Sequence, residues 1–383
     1  MSEPRRLTIN AERPYPVFVG SGLLDDCGRL LWEDCGLLTG EGGSCKALLV
    51  SDDTVASLYG DRVKQSLTGA GFTVHRFVFP HGEQSKSLGM LAALVNEMAL
   101  NGLTRSDLVV ALGGGVTGDL AGFAASVYLR GIRHVQIPTT VLAAVDSSVG
   151  GKTAVDLPAG KNLMGTFWQP AAVICDCDTF ATLPENVFAD GLAEAVKYGV
   201  LCDPELFENF EHFSRGRDMT DLVARCIQIK ESHVAGDETD HGKRQFLNLG
   251  HTAAHAIEVC SQYAVSHGRA VAIGMAMMAR AAERMGLAKG MSEGQSAVSE
   301  GGPAEQPKAA GKSLSQRLEA LLKKFGLPVS TGLTAEQLAK AALSDKKRRG
   351  DSITLVMPLA VGDCVLYPIE IKDLECVFRA GIS

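Results

Sequence analysis

The residues that carry most of the chemistry are histidines. Residues 248–258 read NLGHTAAHAIE and place His251 and His255 four apart, on one face of a helix; His267 follows in SHGRAVAIGM. Two imidazoles at that spacing form a platform for a divalent metal. A metalloprotease would need glutamate directly after the first histidine, where this chain has Thr252. Glu194 and Lys197 stand three apart in GLAEAVKYG (191–199), again on one helix face. A surface ion pair is the ordinary reading of such a spacing. Here Ala193, Ala195, Val196 and Tyr198 make the helix largely apolar, and a buried carboxylate and ammonium need strong partners.

A second group of charges lies in DSSVGGKTAVDLPAGKN (146–162), where Lys152 and Lys161 stand beside Asp146 and Asn162. Lysines in a glycine-rich loop can wrap a phosphate or carboxylate; composition alone describes a solvated flexible loop. Earlier, GGGVTGD (113–119) follows the apolar run DLVVAL and precedes AGFAAS. Gly113, Gly115 and Gly118 fit the dinucleotide-binding fingerprint, whose glycines let backbone N–H groups approach a pyrophosphate at a helix N-terminus. The acidic residue expected about 20 positions on is missing. Asp52 or Asp53, ending the run LLVSDD, can take the ribose role or simply close an Asx turn.

These groups need a frame. Apolar runs at 46–50, 73–79, 107–112 and 134–137 end at Asp, Pro or Gly and alternate with helical patterns, which predicts a parallel sheet covered on both faces. After Pro184 the period is helical to residue 287, and two further strands are expected only at 353–357 and 364–367. The chain is therefore read as a Rossmann-like α/β domain at 1–183 and a mainly α-helical domain at 184–383. Residues 289–311 are rich in Gly, Ser, Ala and Pro and read as a flexible insert.

Composition narrows the classes. Two domains suit 383 residues. A net charge of -7 argues against a nucleic-acid surface. No apolar run approaches the ~18 residues that span a bilayer, and no apolar segment follows the N-terminal arginines. Ten scattered cysteines without a C-x-x-C pair read as reduced thiols, so a cytoplasmic location is expected.

Taken together, the chain resembles the 3-dehydroquinate synthases. The resemblance runs from LLVSDD to the terminal DKK…G…ITLVMPLAVG and rests on PHGEQSKS (80–87), GGGVTGD, SVYLRGI (126–132), PTTVLAAVDSSVGGK (138–152), GLAEAVKYG and NLGHTAAHAIE, in that order. It implies conversion of 3-deoxy-arabino-heptulosonate 7-phosphate into a carbocycle, with NAD reduced and reoxidised within one turnover. NAD would lie between the domains, touching Asp52, Glu83, Lys86, Gly114, Gly115, Val116, Asp119, Thr139, Thr140, Lys161, Thr179, Phe180 and Thr182. Zinc or cobalt would be held by Glu194, His251 and His267, which frees His255 for acid/base work.

Substrate would meet Asp146, Lys152, Asn162, Lys197, Lys230, Arg244 and Asn248, with Lys346 or Lys347; Asp240, Lys152, Lys197 and Arg244 join His255 in catalysis. Arg130 would reach a neighbouring subunit's site, implying a homodimer. Two departures stand out: Arg269 replaces the family's usual Glu after His-Gly, and the insert 289–311 has no usual counterpart. Other sugar phosphate cyclases and iron-type alcohol dehydrogenases share the plan and are the competing readings.

Overall fold

The structure is a computed structural model that describes residues 3–37, 45–237, 242–288, 312–343 and 351–382. The chain divides into two compact units, Met1–Gly191 with Ser214–Lys243, and Leu192–Phe213 with Arg244–Ser383. The insert 289–311, Asp240, Lys346 and Lys347 lie outside the described residues.

The first unit holds strands β1 (Arg5–Ile9), β2 (Tyr15–Gly20), β3 (Cys45–Asp52), β4 (Phe72–Phe79), β5 (Leu108–Gly113), β6 (Arg133–Pro138), β7 (Lys152–Leu157), β8 (Gly160–Phe167) and β9 (Ala172–Asp176). Its helices are α1 (Leu23–Arg29), α2 (Asp53–Gly69), α3 (Leu88–Leu100) and α4 (Gly115–Val127). The helix α5 (Glu185–Cys202) runs from this unit into the second, and α6 (Pro204–Glu211) precedes α7 (Thr220–Val234), which belongs to the first.

Seven strands form one sheet in the order β1-β2-β9-β6-β5-β3-β4, parallel throughout except for the β1–β2 pair. Successive side chains of a strand point to opposite faces, and this sheet is apolar on both. Ala47, Leu49, Leu108, Val110 and Leu112 join α1 and α2 in one core. Leu48, Val50, Val109 and Ala111 join α3 and α4 in the other. That is why β3 and β5 read as continuous apolar runs rather than alternating ones.

The reading of 146–162 as an open loop is corrected. Lys152–Leu157 and Gly160–Phe167 pair as an antiparallel hairpin. A Cβ on Gly165 would stand 2.2 Å from the Thr153 carbonyl oxygen. Glycine there records a close strand approach, not a flexible loop.

The second unit holds the remainder of α5 with α6, α8 (His251–Cys260), α9 (His267–Arg284), α10 (Leu314–Lys324), α11 (Ala335–Ala342), α12 (Leu374–Gly381) and the antiparallel pair β10 (Ser352–Ala360) and β11 (Asp363–Glu370). Helix α9 is buried along nearly its whole length, packed by α8, α10, α12 and β10. It accommodates one buried cation, Arg280, whose guanidinium donates to the carbonyls of Gly381 (2.6 Å) and Val329 (3.1 Å) and to Glu319 (2.7 Å). No described helix is long and apolar enough to cross a membrane.

Candidate active site

In the first unit the glycine-rich turn sits where the sequence places it. Strand β5 ends at Gly113, Gly114 caps α4, and Gly115 begins it. A Cβ on Gly113 would meet Thr117 Oγ1 at 2.4 Å, and one on Gly118 would meet Gln136 Oε1 at 2.6 Å. These glycines are required by packing of helix on strand, which also leaves the N-terminal N–H groups of α4 open to an anion. Beside the turn, Thr139 N–H donates to the Gly113 carbonyl at 3.0 Å. Thr139 Oγ1 is buried and has no hydrogen-bond partner among the described residues, the kind of orphan a ligand satisfies. Thr140 Oγ1 accepts from Ala143 N–H at 3.2 Å, and Val116 is half-buried in the first turn of α4.

Asp52 caps α2, accepting from Val55 N–H at 2.9 Å. The Asx geometry is thus real, and the carboxylate stands at the C-terminal end of β3, where parallel sheets bind nucleotides. Lys86 is almost fully buried, 2.5 Å from Asp119 Oδ2, and it also donates to Asn162 Oδ1. Burial works against its charge, and the charge of Asp119 more than restores it, so the ammonium titrates above its ordinary value. Lys161 Nζ lies 3.6 Å from Glu83 Oε1. Thr182 Oγ1 is 2.6 Å from the Tyr59 hydroxyl, Thr179 donates to the Asp176 carbonyl, and Phe180 is buried.

Lys230, on α7, lies 2.8 Å from Asp146 Oδ1 and donates to its carbonyl as well. Lys152 is exposed at the start of β7, and Asn162 adopts a left-handed φ of 54°. Arg130 is exposed and left-handed (φ 66°) directly after Leu129 (φ 51°). Two adjacent non-glycine residues in that region are uncommon and strained.

The second unit brings the metal donors together. Glu194, fully buried on α5, is 2.5 Å from Lys197 Nζ through Oε2. Through Oε1 it faces His251 Nε2 at 3.4 Å and His267 Nε2 at 3.2 Å. Burial opposes the Glu194 charge, but Lys197, His251 and His267 outweigh it and hold the carboxyl well below its usual range. Both histidines are the first residues of their helices, α8 and α9. A Cβ on Gly274 would lie 2.1 Å from the Gly250 carbonyl oxygen. That glycine pair lets the start of α8 press onto the middle of α9.

The His251 Nδ1 stands 3.1 Å from the Leu249 carbonyl, so Nδ1 carries the proton and Nε2 offers its lone pair. On His267, Nδ1 lies 3.5 Å from Glu258 Oε1. Burial alone would lower this imidazole, yet its hydrogen bonds to Glu194 and Glu258 and their charges push it up to about 10.

One donor atom each from Glu194, His251 and His267 fall within 4.8 Å of one another. An ionised carboxylate and two Nε2 lone pairs are a fitting donor set for zinc or cobalt. His255 stands outside that set, its ring 5.7 Å from His251 and 6.4 Å from His267. Arg244 is buried and Asn248 half-buried in the same turn, Lys243–Asn248. Arg269 is half-buried and has no hydrogen bond or ion pair with the described residues. Glu258 was not singled out by the sequence reading. Its signal was its place in NLGHTAAHAIE, seven residues after His251 and so on the same helical face.

Two family models match the chain, 3-dehydroquinate synthase N-terminal over residues 76–190 and 3-dehydroquinate synthase C-terminal over residues 191–300. A 3-dehydroquinate synthase of Pelobacter propionicus is 40% identical over 379 residues, covering 96% of this chain and 97% of that one. Another, of Clostridium acetobutylicum, is 37% identical over 368 residues, covering 94% and 95%. Among solved structures, a 2-epi-5-epi-valiolone synthase from Streptomyces hygroscopicus with NAD+ and Zn2+ bound is 26% identical, with a TM-score of 0.80 over 98% of this chain and 99% of that one. With two adjoining family models matched over residues 76–300 and relatives aligned over nearly its whole length, the chain belongs to the 3-dehydroquinate synthase family.

Proposed function

We propose that this chain converts 3-deoxy-D-arabino-heptulosonate 7-phosphate to 3-dehydroquinate and phosphate. The route is transient oxidation, phosphate elimination, re-reduction, ring opening and aldol closure, a step of the shikimate pathway towards aromatic amino acids. The observation that carries the reading is the gathering of Glu194, His251 and His267, with His255 beside them but outside the donor set. When bound, NAD accepts and returns a hydride, and a zinc or cobalt ion polarises the oxygen that is oxidised.

The protein's own groups hold and protonate. In the second unit Glu194, His251 and His267 hold the ion, and His255 moves protons at the substrate. Lys197, buried against Glu194, and Arg244 hold negative oxygens, with Asn248 beside them. Asp240 and Lys346 or Lys347 belong to the same proposal. In the first unit Gly114, Gly115 and Thr139 receive the dinucleotide, with Asp52 at its ribose. Lys86 and Asp119 shape the floor. Asp146, Lys152, Asn162 and Lys230 contact the substrate. Binding at several fixed cations restrains the flexible chain of the substrate, and this positioning supplies much of the rate. The same reading makes the protein a cytoplasmic homodimer in which Arg130 serves the neighbouring subunit.

Phosphate release and absorbance at the NADH band, followed together with zinc and NAD+, test this. The heptulosonate phosphate should release phosphate with no net NADH. Release from sedoheptulose 7-phosphate or glucose 6-phosphate instead would make the chain a different cyclase, and net NADH would make it a dehydrogenase.

A further inference from the structure

We propose that Glu258 is a positioning residue for the metal ligand His267: it accepts a hydrogen bond from Nδ1–H, keeps the proton on that nitrogen and so aims the Nε2 lone pair at the metal. The inference rests on the metal reading above and deepens it. Glu258 is only 4% exposed, on the last turns of α8, with Oε1 3.5 Å from His267 Nδ1. On the far side of the same ring, Nε2 faces Glu194 Oε1 at 3.2 Å. A neutral imidazole has one N–H and one lone pair, so whichever acceptor takes the N–H decides where the lone pair points. A carboxylate at Nδ1 leaves it at Nε2, towards Glu194 and His251. A carboxylate–imidazole pair of this kind also makes the nitrogen opposite a stronger ligand.

His251 reaches the same end by another route, through its Nδ1 contact with the Leu249 carbonyl at 3.1 Å. Both ligands therefore present Nε2, one set by a neutral backbone acceptor and the other by a charged one.

The chain between the two helices is built to bring them together. Tyr263 N–H donates to the Glu258 carbonyl at 2.7 Å, and the Ser261 hydroxyl donates to it at 3.1 Å. Val265 N–H then donates to Ser261 Oγ at 3.3 Å. Gln262 and Tyr263 are left-handed, with φ of 51° and 63°. This tight reversal carries His267 back to Glu258 within nine residues.

Zinc affinity, measured by competition with a chromophoric chelator, provides the test, using the parent chain, Glu258→Gln, Glu258→Ala and His267→Ala. Glu258→Gln should bind zinc roughly tenfold more weakly and Glu258→Ala up to about a hundredfold more weakly, in line with other carboxylate partners of metal-bound imidazoles. Zinc affinity within twofold of the parent in both variants overturns the proposal. A second readout needs no variant: imidazole 15N shifts of the zinc-loaded parent should show His267 protonated at Nδ1. Metal on Nδ1 would overturn it equally. If the parent fails to bind zinc, or His267→Ala binds as the parent does, the metal reading itself falls. Loss in His267→Ala with parent-like Glu258 variants sinks only the positioning role.

Discussion

Two of the three imidazoles on α8 and α9, those of His251 and His267, face the buried carboxylate of Glu194 through Nε2. Helical spacing alone pairs His251 with His255, one turn apart, and nothing in the periodicity points to His267 sixteen residues beyond His251. Resemblance supplied that residue, because the contact is made by a second helix returning to the first. The proposed roles predict a split. His255→Ala should keep near-stoichiometric zinc and lose turnover, whereas His267→Ala should lose zinc; metal analysis of both purified variants checks this, and the reverse pattern contradicts it.

Arg269 has no partner among the described residues and is half-buried, so water screens much of its charge. Arg269→Glu should therefore raise zinc affinity by less than tenfold, about 1.4 kcal/mol; a larger gain in the chelator competition would show a real electrostatic cost.

His134 illustrates a residue whose environment no motif announces. It is fully buried on β6, and among the described residues neither ring nitrogen has a hydrogen-bond partner. Burial pushes its pKa down to about 3. The unfolded chain takes a proton near pH 6.5 and the folded one does not, so this contribution to stability is present above ~6.5 and lost as pH falls towards 3. The protein should lose about 2 kcal/mol between pH 7 and pH 5 from this group. Urea unfolding at the two pH values should show that loss, and His134→Leu should flatten it.

At the scale of elements, apolar runs bounded by Gly, Pro or Asp were enough to find β3, β4, β5, β6, β10 and β11; the first four lie in the parallel α/β sheet they predict, and β10 and β11 pair apart from it. Of the strands that escaped, β9 (AVICD) meets the same rule, and the others have physical reasons. The edge strand β1 is short and carries two arginines, β2 contains Pro16, and the hairpin β7–β8 is interrupted by glycines and polar residues. Glycine looks the same in a sequence whether it loosens a loop or admits a neighbouring backbone.

The pair Gly250 and Gly274 is of the second kind. Gly250 has φ of 78°, and a Cβ on Gly274 would stand 2.1 Å from the Gly250 carbonyl oxygen. Gly274→Ala must push α8 off α9, which should cost about 1–3 kcal/mol and displace His251 at the start of α8. Urea midpoint and zinc affinity should fall together. A variant with parent-like zinc binding would show that this helix contact does not set the donor geometry.

At the scale of the whole molecule, the family models cover residues 76–300 and the relatives span nearly the entire chain. What the sequence could not show is how buried the charges are. Spacing makes Glu194 and Lys197 a surface pair and their apolar neighbours argue against it, but neither tells that both are almost wholly buried. Lys86 likewise lies in PHGEQSKS among polar residues and is buried against Asp119. Lys230 against Asp146 is a third such pair, an arrangement that stability alone does not favour over apolar packing and that a polar ligand would justify.

The central claim is that the hydride taken from the substrate is returned to it, so that NAD is a resident tool and not a reactant. The direct measurement is the amount of 3-dehydroquinate formed from the heptulosonate phosphate by zinc-loaded protein when NAD+ is limiting, far below the substrate concentration. The account predicts many turnovers per NAD+, with phosphate and product rising together and no NADH left at the end. Product that stops at one equivalent of the NAD+ added, with NADH accumulating in step, would contradict it.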